Sequence, residues 1–255
     1  MSILFHDIVY GPIKSRRFGF SLGMNLLPTQ SKVCSYNCIY CECGWNPDTP
    51  QGTFVNKDLF LEVLEQNLKT LFESNSQLDV LTYAGNGEPT LHPEFLDIVN
   101  HTIELKNRYF PNKKIVLLSN GSTISEPSIK EAVFKIDMPV LKLDSAIEQT
   151  MKAINLPFIN FNLRQYLEQL YTLQGKIYLQ TMFVKGTYNG ILIDNTTDNE
   201  IEALIDQYIK IQPKAVMLYS LDRIPPLSSL QKIDAHTMQD IAKKIQQAGI
   251  NAIWV

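Results

Sequence analysis

Six short apolar runs punctuate the chain: SLGMNLL (21–27), LDVLTYA (78–84), KIVLLS (114–119), PVLKLDS (139–145), KIYLQTMFV (176–184) and AVMLYS (215–220). Their near-continuous Val, Ile and Leu content predicts strands buried on both faces of a sheet. Between them lie LFLEVLEQNLKTLF (59–72), PEFLDIVNHTIEL (93–105) and EIEALIDQYIKI (200–211), where an apolar residue recurs every three or four positions. That period predicts amphipathic helices. Two helix starts are marked. Pro93 suits the first helical position after His92, and Thr197-Asp198-Asn199-Glu200 fits a capping box. Regular alternation of strand and helix implies right-handed parallel crossovers. The reading is one domain over 1–255: an N-terminal extension at 1–20, six βα units over about 21–220, and a closing C-terminal segment over about 221–255. In that last segment Gly249 ends a helix and the tail offers a final strand.

Periodicity alone does not separate an open doubly wound sheet from a partial barrel, but the polar residues do. In parallel α/β folds functional groups gather at the C-terminal ends of strands. Cys34 to Cys41 follow the first run, AGNGEPT the second and SNGS the third. KLDS lies on the fourth, QTMFVKG on the fifth, and YSLDRIPP follows the sixth. A Rossmann-type sheet has one switch-point crevice, whereas a barrel turns all its strand ends toward one mouth. The expectation is an α/β barrel.

Charge adds little, since a formal net charge of -3 advertises no nucleic-acid partner. MSILFHDIVYGP lacks a basic stretch followed by an apolar run, and no window approaches the length of a membrane span. The expected location is cytoplasmic, with no membrane partner. In a reducing compartment clustered cysteines are more often metal ligands or redox groups than disulfides. CSYNCIYC holds Cys34, Cys38 and Cys41, and only Cys43 remains. Three thiolates suit an iron–sulfur cubane and leave one iron without a protein ligand. By analogy with zinc, an open coordination position marks a catalytic rather than a closed structural site. Ligation by Cys43 as well would close a zinc site or a cluster, although its spacing from Cys41 makes this awkward. Unligated buried cysteines are the remaining alternative.

The CxxxCxxC pattern, with aromatic Tyr40 just before the last Cys, resembles the signature of the radical S-adenosylmethionine (radical SAM) superfamily. Asn86-Gly87-Glu88-Pro89 resembles its GGEP motif, with Asn86 in place of the first Gly. YGPIKSRRFGFSLGMNLLP and GNGEPTLHPEF are similar to a subfamily of uncharacterised iron–sulfur oxidoreductases related to the tRNA wyosine-modifying radical SAM enzymes. The resemblance implies a partial (β/α)6 TIM-type barrel. It implies a [4Fe-4S] cluster, with Cys34, Cys38 and Cys41 each binding one iron and S-adenosyl-L-methionine chelating the fourth. The implied reaction is reductive cleavage of SAM to methionine and a 5′-deoxyadenosyl radical, which abstracts hydrogen from substrate. A flavodoxin- or ferredoxin-like donor would supply the electron. Tyr40 stands where the family contacts adenine, and Gly87 and Glu88 where it receives the methionine amino group.

The fourth run carries a clue of its own. Lys142 and Asp144 are two apart, so they share a face of the strand, where buried charges are costly unless paired or functional. They are candidate catalytic or substrate-positioning residues, and Asp144 is also a candidate SAM contact; a structural ion pair is the alternative. Ser119, Asn120 and Gln180 are strand-end polar groups suited to ribose hydroxyls, with turn capping or core hydrogen bonding as the alternative. Arg223, beside Pro225 and Pro226, suits an anionic substrate group, as do Arg16 and Arg17. His92 reads as a turn residue. A small anionic metabolite or nucleotide is the preferred substrate over tRNA, because no segment is left for a separate RNA-binding module. The rival from another class is a non-catalytic iron–sulfur or zinc-binding protein on the same fold.

Overall fold

All six apolar runs form strands. A computed structural model describes residues 3–158, 160–223 and 225–254. Met1, Ser2 and Val255 lie outside them, so the first two residues of the expected extension and the last of the expected closing strand are not described. The chain divides into two compact units.

One unit comprises Leu4–Cys34 and Asn46–Pro139. It holds β1 (Val9–Ser15), β2 (Gly19–Met24), α1 (Lys57–Glu73), β3 (Val80–Tyr83), α2 (Phe95–Tyr109), β4 (Lys114–Ser119) and α3 (Pro127–Lys135). β2 pairs in parallel with β3, and β3 with β4. All four residues of β3 are buried, as a strand covered on both faces requires. Phe60, Leu64 and Leu68 of α1 and Phe95, Ile98 and Val99 of α2 supply helix faces to this core. β1 pairs antiparallel with β2, an edge strand that Gly11 and Pro12 hide from a pattern search. Helix α2 starts at Phe95 rather than at Pro93. Residues before proline avoid the helical region, so His92 stays extended, and its Nδ1 accepts the Glu94 N–H at 3.1 Å.

The other unit comprises Met1–Ile3, Ser35–Trp45 and Val140–Val255. Its elements include β5 (Met138–Lys142) from Val140 onward, α4 (Glu148–Asn155), α5 (Leu163–Tyr171), β6 (Tyr178–Tyr188), β7 (Ile191–Asp194) and α6 (Asp198–Ile211). β8 (Val216–Ser220), β9 (Gln231–Lys232), α7 (Ala235–Gln247) and β10 (Ala252–Trp254) complete it. β5, β6, β8 and β10 pair in parallel in that order, so the tail does supply a further strand. β6 outruns its neighbours and turns through Asn189 and Gly190, both at positive φ, into antiparallel β7. The Thr197 hydroxyl caps α6 by accepting the Glu200 N–H at 3.4 Å. The Glu200 carboxylate instead accepts from the Ser145 hydroxyl at 2.6 Å, so the capping box closes on one side only. No described helix is long and apolar enough to cross a membrane.

Candidate functional site

The C-terminus of α4 fixes the cysteine loop. A helix end leaves carbonyls without intrahelical partners. Here the Ile39 N–H bonds the Ile154 carbonyl at 3.0 Å, and the Asn37 N–H bonds those of Asn155 and Leu156 at 3.0 and 3.1 Å. Tyr36 and Ile39 are buried, with the Tyr36 ring edge-on to Phe161. Backbone and side-chain anchors thus alternate with Cys38 and Cys41.

The Asn155 side chain, fully buried, closes this arrangement. Its Nδ2 donates to Cys38 Sγ at 3.2 Å and to Asp144 Oδ2 at 2.7 Å, while its Oδ1 has no hydrogen-bond partner among the described residues. Asp144, also fully buried, accepts from the Tyr40 hydroxyl and from the Met182 N–H at 2.9 Å. Lys142 donates to the Tyr40 hydroxyl and stands 3.5 Å from Asp144 Oδ2. The two charges therefore do meet, bridged by the tyrosine that precedes the last cysteine, although β5 ends at Lys142 and Asp144 lies just beyond it. Burial works against the Lys142 ammonium, yet Asp144, helped by Tyr219 and the two thiols, holds its pKa above the ordinary lysine value. Burial pushes the Cys38 thiol up, and the Lys142 charge opposes that rise. Gln180, mostly buried, pairs in register with Lys142.

In the other unit the Asn86-Gly87-Glu88-Pro89 loop follows β3. Gly87 sits at φ 138°, and a Cβ there would stand 1.9 Å from the Val33 carbonyl oxygen, so only glycine fits. The Val33 N–H bonds the Asn86 carbonyl at 2.8 Å and the Glu88 N–H bonds the Val33 carbonyl at 3.0 Å, strapping the loop to the segment that leads into Cys34. Asn86 is not at positive φ, so the place of the missing glycine demands none. Its buried side chain accepts from the Phe5 N–H at 2.8 Å and donates to the Phe5 and Pro28 carbonyls at 2.8 and 2.9 Å. Glu88 Oε1 accepts from the Thr90 N–H (3.1 Å), the Thr90 hydroxyl (2.6 Å) and the Ser119 hydroxyl (2.8 Å), and Oε2 from the Asn120 N–H (2.6 Å). Burial pushes this carboxyl up, offset in part by those donors. With three donors on Oε1 and one on Oε2, Glu88 knits the segments that follow β3 and β4 together. Asn120 then reaches Cys34, its Nδ2 donating to Sγ at 3.5 Å, while the Cys34 N–H bonds Asn46 Oδ1 at 3.0 Å.

One expectation lands elsewhere. Arg16 and Arg17 sit in the β1–β2 turn, at the N-terminal end of β2 and so at the opposite edge of that sheet from the Asn86–Pro89 loop. Arg223 pairs with Glu42 of the cysteine stretch at 2.8 Å. His92 is the turn residue expected, its Nε2 bonding the Val55 carbonyl at 2.8 Å. Asn155, Thr90 and the structural role of Asn86 escaped sequence reasoning; the one signal was a polar residue ending the otherwise apolar face of α4.

The donor set fits an iron–sulfur cluster. Two of the three thiols lie under asparagine amides, the N–H···S contacts that tune such clusters. Among the described residues no three His, Cys, Asp or Glu side chains form a group that would hold a single ion. Thiols on separate irons need no such common centre.

A model of the radical SAM superfamily matches residues 30–208. A UPF0026 protein of Helicobacter pylori strain J99 is 31% identical over 220 residues, 85% of this chain and 67% of its own length. The structure of TYW1 with a lysine-pyruvate adduct bound matches with TM-score 0.64 and 14% identity, over 91% of this chain and 75% of that one. Streptococcus suis SuiB bound to S-adenosylmethionine also gives 0.64, at 15% identity over 91% of this chain and 49% of that one. At such identities the structures establish the fold, a mostly parallel α/β arrangement of the partial TIM-barrel kind.

Proposed function

The chain belongs to the radical SAM superfamily, and from that premise we propose that Cys34, Cys38 and Cys41 hold a [4Fe-4S] cluster with S-adenosyl-L-methionine at its open iron. Members of the superfamily use that cluster and that cosubstrate in SAM-dependent radical chemistry and draw on an external reductant. Asn120 and Asn155 carry the reading for this chain, because each aims an amide N–H at a thiol of the triad. When bound, the cluster and SAM supply reductive cleavage of the sulfonium and hydrogen abstraction from a substrate.

The chain's own residues hold and shield that chemistry. The orphaned Asn155 Oδ1 offers a buried acceptor to a ligand donor. Gly87 keeps backbone close to Val33 and Glu88 braces Asn120, so these two residues act on cofactor binding through the loop they shape. Ser119 belongs to the same brace. Tyr40, Asp144 and Gln180 are the candidate SAM contacts of the other unit, with the Lys142 ammonium 3.5 Å from Asp144. Residues 1–255 act as one radical SAM core domain in the cytoplasm, served by a flavodoxin- or ferredoxin-like donor.

For substrate, a small anionic metabolite or nucleotide is preferred over tRNA. The net charge of -3 disfavours a polyanion, and Arg223, held beside the cysteine stretch by Glu42, is the candidate cation. The cluster is tested by anaerobic reconstitution, which should give about four irons and four sulfides per chain. Cys34→Ala, Cys38→Ala and Cys41→Ala should each abolish it and Cys43→Ala should not; stoichiometric zinc without iron would overturn the reading. The substrate class is tested by tRNA binding across a salt titration. Tight, steeply salt-dependent binding that survives competition by unrelated RNA would overturn the preference for a small molecule.

A further inference from the structure

Asn155 is the last residue of α4, 117 positions from Cys38 and 11 from Asp144, yet its amide joins the cysteine loop to the turn that follows β5. Nδ2 carries two protons, and each has a defined acceptor: Cys38 Sγ at 3.2 Å and Asp144 Oδ2 at 2.7 Å. The pairing also fixes the amide's orientation, since a flipped Asn155 would turn its oxygen toward a carboxylate and a ligating thiolate, neither of which can donate. Asp144 is anchored in turn by the Met182 N–H, the Tyr40 hydroxyl and nearby Lys142. The backbone fixes the same residue a second time, through its carbonyl bond to the Asn37 N–H. Asn155 is therefore clamped at both ends, with one N–H left no choice but the sulfur.

We propose that Asn155 is a positioning residue that sets the reduction potential of the cluster through the Cys38 sulfur. The inference rests on the cluster reading above. An N–H donated to a ligating sulfur withdraws electron density from it and so favours the more negative, reduced cluster. In this buried setting the effect is not shared with water. Asn120 makes the matching contact on Cys34 at 3.5 Å, a longer and so weaker one. Of the two amides, Asn155 has the larger effect.

The test is an EPR-monitored redox titration of the reconstituted full chain, comparing wild type, Asn155→Leu, Asn155→Ser and Asn120→Leu. Leu keeps the approximate volume and removes both N–H donors. The expected result is a lower potential in Asn155→Leu, with the reduced-to-oxidised ratio at fixed potential falling about tenfold, ~59 mV for a one-electron couple. Asn155→Ser, which keeps one donor, should fall between Leu and wild type, and Asn120→Leu should shift less than Asn155→Leu. If Asn155→Leu fails to fold or to hold iron, Asn155→Ser decides the matter by its own shift. Potentials in the Asn155 variants equal to wild type would overturn the inference while leaving the cluster reading intact. Failure of the wild-type chain to take up iron would instead sink the cluster reading itself.

Discussion

Replacing Lys142 by Met leaves the Asp144 carboxylate fully buried without the cation 3.5 Å away. The remaining donors, Tyr40, Asn155 and the Met182 N–H, are neutral. Removing one partner of a buried pair typically costs about 3–5 kcal/mol, because the other charge stays desolvated. For a chain of this size each kcal/mol lowers Tm by about 2–4 °C, so Lys142→Met should unfold about 6–20 °C earlier in the apo-protein. Asp144→Asn should cost a comparable amount by stranding the ammonium. The double variant Lys142→Met/Asp144→Asn leaves neither charge of this pair and should cost clearly less than the two singles added together. Anaerobic thermal unfolding followed by circular dichroism reads all four proteins. A Lys142→Met chain as stable as wild type, or additive costs in the double variant, would refute the account of Lys142, Tyr40 and Asp144 as one coupled network.

Other predictions follow from single positions. Gly87→Ala should lower Tm sharply, since its φ of 138° alone costs about 1–3 kcal/mol and the new Cβ meets the Val33 carbonyl; an unchanged Tm would contradict the need for glycine at this position. Glu88→Gln should destabilise the apo-protein by about 1–3 kcal/mol, because the Asn120 N–H would then face an amide instead of a carboxylate oxygen; thermal unfolding without SAM checks that this brace exists before any ligand binds. Hydrogen bonding from Lys57 holds the Asp97 carboxyl below its ordinary range, and a depressed folded-state pKa means stability present above about pH 4 and lost as pH falls through the folded value. The Tm difference between wild type and Lys57→Met should therefore shrink on acidification below about pH 4, and a difference that grew would reverse the sign assigned to the pair.

The strands were legible because buried parallel strands write themselves as uninterrupted Val, Ile and Leu, and all six appear. The antiparallel additions were not. β1 contains Gly11 and Pro12, β9 is two residues long, and β7 is announced only by Asn189-Gly190 at the end of a longer run. The cysteine triad and the Lys142–Asp144 pair could be read locally, from spacing and from strand alternation. What joins them could not. Asn155 reaches Cys38 across 117 positions of sequence, Ser119 reaches Glu88 across 31, and Asn86 reaches Phe5 across 81. Such links depend on which loops the fold brings together, and short polar residues carry no periodicity that would mark them. Arg16 and Arg17 show the same limit from the other side: a basic run invites a binding role, and only the direction of β2 shows that it sits at the far edge of its sheet.

The central claim is that the reduced, cluster-loaded chain opens SAM. Liquid chromatography with mass spectrometry, applied to anaerobic protein incubated with SAM and dithionite, measures 5′-deoxyadenosine directly. The account predicts that 5′-deoxyadenosine and methionine accumulate together, slowly without substrate, and that both fall to background in Cys38→Ala. Protein carrying a full complement of iron and sulfide that forms no more 5′-deoxyadenosine than Cys38→Ala would contradict it.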